Sequence, residues 1–163
     1  MSVVNRRSFL FGMVMGFLGG ALARPALAQT PAGQQVIRGR GREIFVSLSA
    51  QRLWAYQDGE VAMTFLISSG EPGRPTRRGN YRIQSKLPEA WSNIWQLRMP
   101  YWMGIYYAGR IENGIHAMPL LRNGTPVRWP VGYPASYGCV VALTKDAAAL
   151  YRWAPLGTPV YIR

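Results

Sequence analysis

A single cysteine, Cys139, among 163 residues settles what cannot hold this chain together. No intramolecular disulfide can form, and one Cys with one His, His116, falls short of the ligand set of a structural zinc site. The fold must rest on a hydrophobic core. Cys139 closes the turn-like run Ser136-Tyr137-Gly138-Cys139, and His116 lies in Asn113-Gly114-Ile115-His116-Ala117. A thiol is a strong nucleophile only as thiolate, and a nearby imidazole is the usual group that takes its proton. Taken singly, a lone Cys is most often an inert small hydrophobe and a lone His a surface or core residue. The destination of the chain is what links the two.

Arg6-Arg7-Ser8-Phe9-Leu10 is a twin-arginine pattern, and the run from Phe9 to Ala23 is uncharged. That run is shorter than the roughly 20 residues that span a bilayer. Ala26-Leu27-Ala28 presents small residues to a signal peptidase, with cleavage expected before Gln29. No Cys stands at the end of the apolar run, which argues against lipid attachment. The expectation is a signal peptide of twin-arginine type over 1–28, a leader over 29–41 and one domain over 42–163. It places the mature protein in the periplasm or cell envelope, without a stable membrane span. In an exported protein an unpaired cysteine is a candidate reactive thiol.

Removing residues 1–28 leaves 135 residues, enough for one domain with a real core. Sixteen basic residues then face seven acidic ones, a net charge of +9 carried almost entirely by arginine. Such a charge favours anionic partners, and an exported protein meets an acidic wall polymer first. Trp91, Trp95, Tyr101 and Trp102 interleave with basic residues, but no nucleic-acid recognition motif accompanies them, so no nucleic-acid partner is expected.

From Glu43 the pattern is β. Ile44 to Leu48 and Arg52 to Gln57 read as strands, Asp58-Gly59 is a two-residue hairpin signal, and Val61 to Ser68 forms the return strand. Gly70 to Gly79 is a loop, Asn80 to Gln84 resumes a strand, and Tyr101 to Ala108 reads as another. Pro88 to Pro100 is ambiguous, because Trp91 and Trp95 stand at helical spacing. One helix is expected after Cys139: Thr144 as N-cap, Asp146 in the first turn, Ala147, Leu150 and Ala154 on one face, and Pro155 at the stop. A last strand covers Val160 to Ile162.

From about Arg42 to Arg163 the chain resembles the catalytic domain of bacterial L,D-transpeptidases, the YkuD domain. The resemblance rests on the opening hairpin with Ser68-Ser69-Gly70, on Thr76-Arg77-Arg78-Gly79-Asn80-Tyr81, on Gly114-Ile115-His116, on Gly132-Tyr133-Pro134-Ala135-Ser136-Tyr137-Gly138-Cys139-Val140, and on Gly157-Thr158-Pro159-Val160. It implies a mostly β sandwich or barrel of about eight short strands, with one C-terminal helix after the nucleophile segment. It also implies an enzyme acting on peptidoglycan stem peptides without cofactor or metal, and open to carbapenem inhibition. Cys139 would attack the stem amide to form a thioester, and His116 would take and return the proton. The main-chain oxygen of Ala117 would orient the His116 ring. The amides of Tyr137, Gly138 and Cys139 would receive the oxyanion, and Ser136 would support the segment. An amine acceptor gives a cross-link and water gives an L,D-carboxypeptidase. An amidase with the same pair, or a catalytically weak peptidoglycan-binding module, are the other readings.

Three departures from the family pattern stand out. Tyr137 replaces a frequent His, and Val141 replaces a residue that is usually Arg or another polar group, which leaves Arg77, Arg78, Arg122 and Arg128 as candidates to hold stem carboxylates. The stretch from Ala117 to Ala135 is somewhat long and carries the turn signal Asn123-Gly124-Thr125-Pro126, which predicts a hairpin beside the site.

Overall fold

The computed structural model describes residues 41–163, and the expected signal peptide, its cleavage point and the leader up to residue 40 lie outside the described residues. Strands β1 (Arg42–Ser47), β2 (Arg52–Gln57) and β3 (Glu60–Ser68) form an antiparallel meander. At Asp58-Gly59 both residues have positive φ, 52° and 88°. This is the mirror-image turn whose twist matches that of the flanking strands.

Strand β4 (Gly79–Arg82) pairs with β10 (Pro159–Ile162), and β10 runs parallel to β1. Beyond β3 come β9 (Val140–Ala142), β7 (Ile111–Ala117), β6 (Leu97–Ala108) and β5 (Ser85–Ser92). The order across the sheet is β4-β10-β1-β2-β3-β9-β7-β6-β5, with the short β8 (Leu120–Leu121) paired to β6. The sheet curls into a half-barrel, so that Tyr81 of β4 stacks on Tyr106 of β6 with ring centroids 4.8 Å apart. Alternate strand positions supply the core, as the two-residue period of a strand requires: Ile44 and Val46, Ile115 and Ala117, Val140 and Ala142. Helix α1 (Thr144–Trp153) adds Ala147 and Leu150 to that core and packs on β6, β7 and β9.

The mostly β class with one helix after the nucleophile segment agrees with the sequence. Among the described residues ten strands stand where about eight were expected. Strands β8 and β9, of two and three residues, are too short to show a readable alternation. The ambiguous stretch Pro88 to Pro100 is a β-hairpin: Trp91 pairs with Arg98, Glu89 accepts a bond from Arg98 Nε at 2.7 Å, and Trp95 lies in the turn. Pro88 is tolerated because β5 is the edge strand. Thr144 is the first helical residue and not the N-cap. That place belongs to Leu143, which makes no side-chain capping bond. Capping falls to the other end, where Lys86 of β5 donates to the carbonyls of Tyr151 and Ala154 at 2.6 and 2.7 Å.

A cation on the last carbonyls of a helix offsets both their missing partners and the helix dipole. Lys86→Met should therefore lower unfolding free energy by about 1–2 kcal/mol. Urea denaturation of the domain over residues 41–163 reads this directly, and an unchanged midpoint would contradict the capping role.

Candidate active site

The site is built on one ladder. Strand β7 runs parallel to β9 with Ile115 opposite Val140, His116 opposite Val141 and Ala117 opposite Ala142. Ile115 and Ala117 turn into the core, so His116 between them turns to the other face. Cys139 immediately precedes β9, level with Gly114. Its thiol and the imidazole therefore open into the same narrow cleft, which is also lined by Trp95, Asn113 and Trp129.

His116 is 2% exposed. Its Nδ1 lies 2.6 Å from the carbonyl oxygen of Ala117. A carbonyl can only accept, so Nδ1 carries the proton and Nε2 is left as the base. Trp102 lies nearly parallel to the imidazole, with ring centroids 5.6 Å apart. Burial pushes the His116 pKa down to about 4, against the smaller opposing effect of the Ala117 bond. Cys139 retains partial exposure toward the cleft, yet burial of its sulfur pushes the thiol up to about 11. The Gly114 N–H eases that rise, and the charge of Glu112 adds to it. Burial thus favours the neutral thiol and the neutral imidazole, with Nε2 free to accept a proton.

The nucleophile segment is fastened along its length. Both Ala135 and Ser136 donate main-chain bonds to Ser69 O at 2.9 Å, and Glu71 N donates to Ser136 O at 2.9 Å. Thr76 Oγ1 donates to Gly138 O at 2.8 Å and accepts from Gly70 N at 2.8 Å. The Tyr106 hydroxyl also reaches Gly138 O, at 3.4 Å. Ser136 is fully buried and its hydroxyl donates to Cys139 O. Gly138 has φ +115°, and a Cβ there would stand 2.9 Å from Asn113 Oδ1. Gly70 is as constrained, because a Cβ would lie 2.1 Å from Arg74 O and 2.9 Å from Gly138 Cα.

The structure brings Cys139, His116, Ala117, Ser136, Tyr137 and Gly138 to one place. One expected donor is partly engaged, since Gly138 N–H points at Ser136 Oγ 3.3 Å away. Tyr137 serves a packing role: its ring meets Trp95 at 4.4 Å and Trp129 at 5.3 Å, and the Arg74 guanidinium lies over it at 4.7 Å. The long Ala117–Ala135 stretch supplies Trp129 to this roof. Its turn forms as predicted, with Gly124 N donating to Leu121 O and Leu121 N to Thr125 O. Val141 is fully buried, so the position is used for packing, where a guanidinium would lose its water. Of the four candidate arginines only Arg77 lines a hollow beside the site, and Arg74, not anticipated from sequence, joins it there. Arg122 covers the Trp91 ring and bonds to Gln96, away from that hollow.

Sequence reasoning missed Asn113, whose Oδ1 lies 3.7 Å from Cys139 Sγ, and the Thr76 and Tyr106 hydroxyls that hold Gly138. It also missed the contact of Trp102 with His116. None of these contacts is local in sequence, and only the neighbourhood of Asn113 to His116 was an available signal.

The family model of the YkuD L,D-transpeptidase catalytic domain matches residues 41–162. No curated protein matches the chain significantly. Among solved structures, an L,D-transpeptidase from Stackebrandtia nassauensis is 26% identical, with a TM-score of 0.61 over 76% of this chain and 56% of that one. A mutant of Enterococcus faecium L,D-transpeptidase is 25% identical, with a TM-score of 0.63 over 76% of this chain and 50% of that one. An L,D-transpeptidase in complex with imipenem shares the fold at 22% identity, with a TM-score of 0.64 over 77% of this chain and 60% of its own. The chain therefore spans between half and three fifths of the length of these structures.

Burial of a neutral imidazole links folding to pH. Between about pH 6.5 and about pH 4 the unfolded chain takes up a proton that folded His116 refuses, so stability falls on acidification through that window. The His116 share of the loss is about 3 kcal/mol. Unfolding titrations across the window should show that extra loss in the wild type and not in His116→Gln; equal slopes would contradict the buried neutral ring.

Proposed function

The chain belongs to the YkuD family of L,D-transpeptidase catalytic domains, and we propose that it is an exported cysteine peptidyltransferase acting on peptidoglycan stem peptides. The observation that carries this reading is the tautomer-fixed His116, whose free Nε2 shares a cleft with the thiol of Cys139.

In this reading the stem amide enters the cleft and Cys139 Sγ attacks its carbonyl carbon as His116 Nε2 takes the thiol proton. The tetrahedral oxyanion is received by main-chain N–H groups of the Tyr137–Cys139 turn, with Gly138 turning away from Ser136 to do so. His116 then returns the proton to the leaving amine, and a thioester remains on Cys139. Attack by an amine of a second stem gives the cross-link and regenerates the thiol. Arg74 and Arg77, which line the hollow on the other side of Tyr137, supply positive charge for a carboxylate of the stem. The pattern of residues 1–28 supports delivery to the periplasm by the twin-arginine route, with cleavage before Gln29. Among the described residues no helix is long and apolar enough to cross a membrane.

Incubated with purified muropeptides, the mature domain should generate new dimers that Cys139→Ala does not, and His116→Gln should slow acylation by about 10²–10⁴-fold. Imipenem, the ligand of one structural neighbour, should add its mass covalently to the wild type. An adduct on Cys139→Ala, or acylation of His116→Gln at the wild-type rate, would overturn the assignment.

A further inference from the structure

The cleft that holds the thiol also holds one carboxylate. Glu112 lies on β7 four residues before His116, and Gly114 stands midway between them. Positions 112, 114 and 116 share a face of the strand, and Cys139 lies level with Gly114 on the neighbouring strand. Along β7 the Cα positions of His116 and Glu112 thus stand on either side of the level of Cys139, each displaced by roughly 7 Å, and the Glu112 side chain reaches across Gly104 of β6 to Ser85 of β5 at the wall of the cleft. Gly114 keeps the floor between them bare, because Trp102 and Met103 O leave no room for a Cβ.

Glu112 is held still. Its Oε1 accepts from Gln84 Nε2 at 2.8 Å, and its Oε2 accepts from Ser85 Oγ at 2.9 Å and from Trp102 Nε1 at 3.2 Å. Three donors occupy three of about four acceptor positions on a carboxylate, so one remains for a ligand. No Lys or Arg neutralises it within the cleft: Glu112 is the only Asp, Glu, Lys or Arg among the described residues that line it. The hollow beyond Tyr137 is lined instead by Arg77 and by Arg74, which is paired with Glu71 at 2.7 Å.

We propose that Glu112 recruits and holds the cationic amine of the acceptor in the second half-reaction, which makes it a specificity residue favouring aminolysis over hydrolysis. The proposal rests on the transpeptidase reading above. An acceptor amine arrives as an ammonium, and a fixed carboxylate in the wall of the cleft that holds the thioester is the group that attracts it and aligns it. In the reaction the new C–N bond forms and the C–S bond breaks. Of the three protons on the acceptor nitrogen, one stays on the product amide, one returns to the departing sulfur and one leaves to solvent by way of His116. Water gains nothing from the negative charge, so the carboxylate biases the acyl-enzyme toward the amine.

The test is the partition of one acyl-enzyme. With a disaccharide-tetrapeptide donor at mildly alkaline pH, aminolysis and hydrolysis products are counted by mass spectrometry for two acceptors. Nα-acetyl-lysine amide carries a cationic amine, and hydroxylamine is neutral there. Partition ratios cancel any change in the acylation step. Glu112→Gln should lower the aminolysis-to-hydrolysis ratio for the cationic acceptor about tenfold, and leave the hydroxylamine ratio within about twofold. Glu60→Gln, on the exposed β2–β3 hairpin, should match the wild type for both. A fall of the same size for both acceptors would mean that Glu112 acts only by supporting Trp102 and the His116 ring, and would overturn the proposal. So would an unchanged ratio for the cationic acceptor. Failure of the wild type to form any acyl-enzyme would instead strike the transpeptidase reading itself, and this proposal with it.

Discussion

The parallel pairing of β7 with β9 is the contact on which the site depends. It joins two segments that are 26 residues apart at Asn113 and Cys139, and sets them in a register that leaves no freedom. With Ile115 against Val140, the core side of the ladder is apolar and closed. The opposite side then has to present His116 and the residue just before β9. A slip of one residue would send His116 into the core and Ile115 into the cleft. Packing of the half-barrel and placement of the reactive pair are one event.

That arrangement removes the pair from water, and the chemistry follows. Burial disfavours the charged forms of both groups. The Ala117 carbonyl fixes one nitrogen of the ring as donor, and the Trp102 ring lies along its plane. Hydroxyls from β6 and from the loop after β3 pin the turn that carries the nucleophile. Two glycines, Gly70 and Gly138, approach so closely that neither could carry a side chain.

Much of this was legible in the sequence. Asp58-Gly59 forced its turn, the alternation of Ile44 and Val46 named the core face of β1, and the helix after Cys139 had helix-forming residues throughout. That Cys139 and His116 share one cleft, with Ser136 bonded into the same turn, was legible in the motif they sit in. Pro88 to Pro100 was not, because its strand character comes from cross-strand partners such as Glu89 with Arg98, which no local window contains. The capping of α1 by Lys86 and the fixing of Gly138 by Thr76 and Tyr106 were hidden for the same reason. Glu112 was hidden differently: on a strand of mixed polarity a glutamate reads as solvated, and only the three donors around it reveal a fixed charge in the wall of the cleft.

The central claim is that the pair rests neutral, with the His116 proton on Nδ1. The chain has one histidine, so a long-range proton–nitrogen correlation spectrum of histidine-labelled mature domain, free of any affinity tag, reports that ring alone. The account predicts one protonated Nδ1 and one bare Nε2 at neutral pH, unchanged on acidification until the pH nears the value of about 4 set by burial. Two protonated nitrogens at neutral pH, disappearing in Cys139→Ala, would show a preformed thiolate–imidazolium pair and contradict it.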